Sequence, residues 1–512
     1  VVTIQDQDGN AVANSTATVT LTSSNATVGG TLLNSAVAMD AVAGVANFQG
    51  RNVKLTGTIG AKNLTATITG GITLTNQVTI TFGAAYKLIM SRDAADAVNA
   101  VAFGTQPQVV VQDVSGNIVT DSTATITVES SGSTLSGNST APTLVNGVAT
   151  FSGLKLTGTK GTYVLTYKST GLVDATQNIT VAYGAATKLV LTTQPTGFVN
   201  RTNFTVQPVV TVQDVSGNTV ENSSISIDVA IDSGNLTGTT QIAAVNGVAT
   251  FSGLGKTGLV GSKRLTFTKT GGGLTQATFD FTLTYGAATK LTLTTPAAGF
   301  VNRVAFDTQP IVQVQDEDGN KVADSTALVT VAMSNGTLTG VKTLSADAGD
   351  VNFAGLVKSG SVSTTKVLSF TSPNLTGASQ TAFTLTHGVA AKIQTNPGTN
   401  GVFTVMSGSR ASGQVFGRQP AVAILDADDN LVDTGAESNQ TITVSVNGTG
   451  LTGTTTVTAA GGKAAFSGLM MTGVAGNYIM SYVANTSGTT ASTNFDLYYG
   501  AAAKLTLTTL AA

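Results

Sequence analysis

The 512-residue chain has no cysteine, no tryptophan and one histidine. Without cysteine there are no disulfides and no thiolate metal sites, and the redox compartment stays open. Charged residues are 10% of the chain and balance to a net charge of −2, which argues against electrostatic capture of nucleic acid or anionic lipid. No apolar run reaches the ~18–20 residues of a membrane-spanning helix, and no charged segment leads into an apolar stretch at the start. No helical periodicity appears, and no Gly-rich phosphate loop runs from a strand into a helix. The one histidine, His387, has no recurring serine or acidic partner, so neither a triad nor a general base can be built around it. It reads as a residue at a joint between domains.

What is present is a chain that can fold: 41% hydrophobic, low in charge, and rich in Thr, Ser, Gly, Val and Ala. One phrase organises it. In Gln207-Pro-Val-Val-Thr-Val-Gln-Asp-Val-Ser-Gly-Asn218, Val210 and Val212 alternate with polar residues, and then an Asp/Ser/Gly/Asn cluster interrupts. Alternation ending in such a cluster predicts a half-buried strand running into a tight turn. The phrase recurs with its first Asp at 6, 113, 214, 316 and 426, giving steps of 107, 101, 102 and 110. A step of about 100 residues is the size of a small domain with its own core, and is too long for a solenoid repeat.

A second phrase marks the joints: Phe82-Gly-Ala-Ala-Tyr-Lys-Leu88, Tyr183-Gly-Ala-Ala-Thr-Lys-Leu189, Tyr285-Gly-Ala-Ala-Thr-Lys-Leu291, His387-Gly-Val-Ala-Ala-Lys-Ile393 and Tyr499-Gly-Ala-Ala-Ala-Lys-Leu505. Strand patterns flank each one, so neighbouring domains are expected to meet with no flexible linker, as a stiff rod on the order of ~200 Å. A third phrase, Gly147-Val-Ala-Thr-Phe-Ser-Gly-Leu154, recurs in each unit and places Phe48, Phe151, Phe251, Phe353 and Phe466 as core residues. About seven strands per unit, spaced by turn signals, predict an all-β fold of tandem antiparallel immunoglobulin-like β-sandwiches. The expected boundaries are 1–83, 84–184, 185–286, 287–388 and 389–500, with 501–512 as the first strand of a further domain or a donated strand.

The order strand, Asp-x-x-Gly-Asn turn, Leu-x-Gly-Thr, Gly-Val-Ala-Thr-Phe, Tyr-Gly-Ala-Ala-x-Lys-Leu resembles the bacterial immunoglobulin-like repeats of invasin- and intimin-type surface proteins. The resemblance spans essentially the whole chain. It implies an extracellular or cell-surface rod, stalk or fibre without catalysis, and carries over no functional residue. Tyr163 and Tyr478 resemble a tyrosine corner, whereas Lys62, Lys263 and Lys366 stand at that place in the other units.

Two departures from the repeat mark candidate sites. The last unit has eight extra residues within Asn396–Gly417, near Arg410 and Arg418. The first unit begins at Val1, which aligns with Val209, and the chain closes on Ala501-Ala-Ala-Lys-Leu-Thr-Leu-Thr-Thr509, the strand type the first unit lacks. One reading is head-to-tail self-assembly, with Leu505 and Leu507 of one copy inserted beside Val1 and Ile4 of another. The other is that the chain is a window of a longer array whose neighbouring units supply these strands covalently. The acidic turns Asp6-x-Asp8, Asp316-x-Asp318 and Asp426-x-Asp428-Asp-Asn430 offer the alternating oxygens of a calcium loop but have no bidentate Glu downstream. The expected function is a non-enzymatic structural protein of a surface filament, sheath or S-layer, whose partners are other copies of itself. The alternative is the stalk of an adhesin with its binding tip elsewhere. A glycan or host-surface ligand stays undecided.

Overall fold

The computed structural model describes residues 1–24, 37–51, 53–141, 143–395, 410–506 and 508. It is all-β, with many short antiparallel strands and a 3-10 turn at Ala436–Asn439. Contacts group the chain into two units. One comprises Val1–Phe198, Asn203–Gly255 and Ser262–Phe281, and the other Val199–Thr202, Lys256–Gly261 and Thr282–Ala512.

Within the first unit, the second repeat shows the plan. One sheet pairs Val148–Thr150 with Gln108–Gln112 and that strand with Lys87–Arg92, while the other orders Ala175–Val181, Gly161–Lys168 and Thr127–Ser130. Leu88, Val109, Val111 and Ala149 from one sheet meet Val128, Leu165, Tyr167 and Ile179 from the other in a single buried cluster. Alternation in each strand puts one row of side chains inward, so two such sheets close face to face into a sandwich. The third repeat contributes a matching sheet of Lys188–Thr193, Val209–Gln213 and Val248–Thr250. Both first strands carry the same register shift, at Met90/Arg92 and at Leu191/Thr193.

The repeat also contains a strand pair that patterning did not separate. Thr134–Ser136 and Lys155–Thr157 form a two-stranded ribbon beside the sandwich. Its turn brings backbones together: a Cβ on Gly137 would lie 2.1 Å from the Gly153 carbonyl oxygen. Close approach therefore explains the glycine of the Leu-x-Gly phrase, and a left-handed φ of 67° at Gly153 explains that of the Phe-Ser-Gly phrase.

In the first repeat, Val2–Thr3 pairs, among the described residues, only with Val45–Ala46, opposite a sheet ordered Val37–Asp40, Thr18–Ser24, Gly60–Ile68 and Thr73–Ile80. Ile4, Val19, Leu21, Phe48 and Ala66 are its core, but Leu74 is 62% exposed.

In the second unit, the fourth repeat joins its strands into one seven-stranded sheet through a parallel pairing at Lys290 and Thr376. The fifth repeat keeps two sheets, Lys392–Thr395/Ala421–Leu425/Lys463–Ala465 and Thr456–Thr458/Thr441–Val446/Gly476–Ala484/Thr490–Leu497. The recurring phenylalanines Phe48, Phe151, Phe251, Phe353 and Phe466 are all buried.

The tyrosine-corner position is held by whichever long side chain can place a donor on its preceding turn. Tyr163 Oη donates to the Thr159 carbonyl at 2.6 Å, and Tyr478 Oη to that of Val474 at 2.9 Å. Lys366 Nζ reaches the Ser361 carbonyl at 2.7 Å, and Lys62 Nζ reaches Thr58 Oγ1 at 2.9 Å. Lys263 instead bonds Ser233 Oγ across the repeat.

Candidate functional site: the turn at each joint

The Asp-x-x-Gly-Asn turn builds itself. In each copy the Asp carboxylate accepts backbone N–H groups two and four residues on, as Asp214 does from Ser216 and Asn218, both at 2.9 Å. This is the local Asx pattern, and it needs a left-handed residue at the fourth position. Gly9, Gly116, Gly217 and Gly319 supply it with φ of 87 to 89°, and Asp429 does so at 63°.

One carboxylate oxygen remains, and it faces the preceding repeat. In the first unit, Asp214 Oδ2 accepts from the joint amide Gly184 N at 2.8 Å and from Asn99 Nδ2 at 2.7 Å. Asn218 completes the clasp: its Oδ1 accepts from Lys160 N at 2.7 Å, and its Nδ2 donates to the Gly158 carbonyl at 3.0 Å. Asn99, Asp214 and Asn218 are all buried. The joint glycine is required as well, because a Cβ on Gly184 would sit 2.7 Å from the Asn99 carbonyl oxygen.

The second unit repeats the clasp twice with a further layer. Asn200 Nδ2 donates to both Asp316 Oδ2 and Asp318 Oδ2 at 2.8 Å, and Arg201 forks onto the two Asp318 oxygens at 2.8 and 2.9 Å. Asn302 does the same with Asp426 and Asp428, and Arg303 forks onto Asp428 at 2.8 and 2.6 Å. Gly286 and Gly388 amides donate to Asp316 and Asp426 at 2.9 Å. The first joint, between the first and second repeats, is simpler: Gly83 N to Asp113, Ile59 N to Asn117, and Asn117 Nδ2 to the Gly57 carbonyl.

These environments shift acidity. Burial pushes Asp426 upward, but the Gly388, Asn430 and Asn302 donors outweigh it and hold the carboxyl down at about 2. Asp214 and Asp316 are lowered by the same balance. Asp428 is lowered first by its hydrogen bonds from Arg303.

The sequence-predicted candidates fall as follows. Asp316, Asp318, Asp426, Asp428 and Asn430 lie at joints with their oxygens facing N–H donors, while Asp6 and Asp8 are exposed on the first repeat. Among the described residues, the Asp6 carboxylate accepts from its own turn alone, from Asp8 N and from Asn10 N and Nδ2. Among the described residues, no group of three or more His, Cys, Asp or Glu is arranged to hold a metal ion. Ile4 is buried and Val1 is 75% exposed, at the rim of a groove of about 600 Å³ lined by Val2, Leu21, Phe48, Leu64, Ala66 and Leu74. Leu505 is fully exposed, and Leu507 lies outside the described residues, as do 396–409 of the insertion. His387 sits at its joint, bonded to Thr434 Oγ1 at 2.7 Å. The Asn99, Asn200 and Asn302 half of the clasp escaped sequence reading. The signal for it was an Asn recurring 16 residues after the joint Gly: 99 − 83, 200 − 184 and 302 − 286.

No family model matches this chain, and no curated protein sequence matches it. Among solved structures it is similar to invasin, a bacterial integrin-binding protein, at 13% identity over 81% of this chain and 79% of that one, with a TM-score of 0.29. It is also similar to the Escherichia coli adhesin FdeC, at 15% identity over 60% of this chain and 100% of that one, TM-score 0.28. Domains 4–9 of the surface layer protein SbsC match at 16% identity over 97% of this chain and 75% of that one, TM-score 0.17. At such scores these likenesses say nothing about role, and the antiparallel sandwich fold rests on the sheets themselves. No helix among the described residues is long and apolar enough to cross a membrane.

Proposed function

We propose that this chain is a non-enzymatic structural protein of the cell surface, in which the repeats 1–83, 84–184, 185–286, 287–388 and 389–500 are domains locked to one another to hold a fixed spacing. The observation that carries this reading is the buried Asn/Asp/Asn clasp, rebuilt with the same geometry at Asp214, Asp316 and Asp426. A buried carboxylate that accepts from both sides of a joint makes bending costly, because opening leaves polar groups unpaired. A joint meant to flex has no use for such a device.

Self-assembly extends the same reading. The groove beside Val2 has the apolar character that the strands at Leu189 and Leu291 satisfy in their own repeats. A second copy's 501–509 segment, with Leu505 and Leu507 turned inward, would complete it by strand addition. The test is small-angle scattering and electron microscopy of the full chain, beside a variant carrying Asn99→Ala, Asn200→Ala and Asn302→Ala and a chain truncated after Gly500. The account expects stiff particles that become flexible in the triple variant, assembly that the truncation abolishes, and no response to a calcium chelator. A wild-type chain already as flexible as the triple variant would sink the spacer reading.

A further inference from the structure

The joints contain a matching rule. Where the turn carries Asp at its third position, at Asp318 and Asp428, the preceding repeat offers an Asn–Arg pair, Asn200–Arg201 and Asn302–Arg303. Where the turn carries Ser216, the preceding repeat offers Asn99–Ala100, and Ser216 Oγ bonds Asn99 Oδ1 at 3.2 Å. Arg201, Arg303 and Ala100 hold the same left-handed backbone, φ 60, 61 and 62°. Charge at the third position of the turn is thus met by charge on the other side, and a neutral third position by a neutral pair.

Two further places carry one side of such a joint. The first repeat presents Asp6, Asp8 and Asn10 exposed, an acidic turn of the Asp318 type. The end of the fifth repeat has Ser412 and Gly413 where Asn–Arg stands elsewhere: Ser412 N bonds the Tyr498 carbonyl as Asn302 N bonds that of Thr386, and Gly473 N bonds Ser412 Oγ as Gly360 N bonds Asn302 Oδ1. Gly413 has φ 78°, and a Cβ there would meet nothing within 4 Å. Tyr499 is 88% exposed, and Tyr285 at the corresponding place is half-buried.

We propose that the Asp6–Asn10 turn is a docking surface for the end of a β-sandwich repeat that carries an Asn–Arg pair, with Asp8 as the residue that selects the arginine. A bidentate guanidinium–carboxylate pair is directional and charge-assisted, so it discriminates between repeat ends that are otherwise alike. The chain's own Ser412–Gly413 end is consequently the weaker partner for this turn. The inference rests on the reading of the joints as locked contacts.

The test installs the missing pair. Full-length chain, a Ser412→Asn/Gly413→Arg variant and the same variant with Asp8→Ser are compared by sedimentation at several concentrations and two salt concentrations. The matched variant should associate severalfold more tightly than wild type, lose strength as salt rises, and keep only the Ser412→Asn part of the gain when Asp8→Ser is added. Gly413→Arg alone, at a backbone already suited to it, serves as a second variant and should give part of the gain. Association no tighter than wild type in both variants, or a Gly413→Arg gain that survives Asp8→Ser, would overturn the proposal. The scattering experiment above separates the two failures: flexible wild-type chains undo the locked-joint reading, whereas stiff chains indifferent to Asp8 undo only the selection of arginine.

Discussion

The first joint and the fourth use the same turn to different depth. At the first, Gly83 is exposed and Asp113 receives only its amide from outside the turn, with Asn117 bridging to Gly57 and Ile59. At the fourth, Gly388 is buried, and Asn302 and Arg303 add donors to Asp426 and Asp428. The comparison shows which part of the joint is minimal: a self-built Asx turn with one spare oxygen and one amide to receive it. Everything beyond that is a second layer, present only where the preceding repeat contributes the Asn.

The largest effect should come from removing the shared acceptor. Asp426→Ala takes the acceptor from the buried Gly388 and Asn430 amides and one of the two carboxylates from Asn302, and should cost about 3 kcal/mol or more in the first unfolding transition of the full chain. Asp113→Ala strands fewer groups and should cost roughly 1 kcal/mol less, as read by calorimetry. Equal losses at the two joints would erase the distinction between them. Removing part of the second layer, by Asn302→Ala, should cost about 1–2 kcal/mol and bring the fourth joint closer to the first.

Acid sharpens the contrast. Asp426 has its folded pKa depressed from 3.8 to about 2, so its contribution is present above pH ~4 and is lost as pH falls through about 2. Limited proteolysis at pH 4 and pH 2 with an acid-active protease should therefore find the region around Gly388 protected at the higher value and cut at the lower. Cutting there already at pH 4 would contradict this. The smallest effect belongs to Arg303→Ala. Its side chain is 55% exposed, so the loss should stay within about 1 kcal/mol and shrink with added salt.

Most of the fold was legible in the repeated phrases. Alternating valines such as Val210 and Val212 gave the strands, and the Gly-Val-Ala-Thr-Phe phrase gave the core phenylalanines, because period and burial are the same fact in a sandwich. The ribbon of Thr134–Ser136 and Lys155–Thr157 was not legible, since three-residue strands carry too little periodicity. Nor were the buried Lys256 and Lys358, which composition alone places outside. Lys358 is satisfied by the Val304 and Ala305 carbonyls and lies 4.6 Å from the Phe306 ring, a set of partners spread over some fifty residues. The acidic turns were visible as turns, and their oxygens suggested a cation. Their actual donors include Asn99, Asn200 and Asn302, about 115 or more residues upstream, which local reading cannot connect.

The most direct measurement is hydrogen exchange at the joint glycine amides of the full chain at neutral pH. If the clasps lock the joints, Gly184, Gly286 and Gly388 should exchange at least about a hundredfold more slowly than Gly83, because they are buried where Gly83 is exposed and their acceptor is also held by an Asn of the preceding repeat. Exchange at all four amides at the rate of an unprotected peptide would mean that the joints open freely and that the account of a locked spacer is wrong.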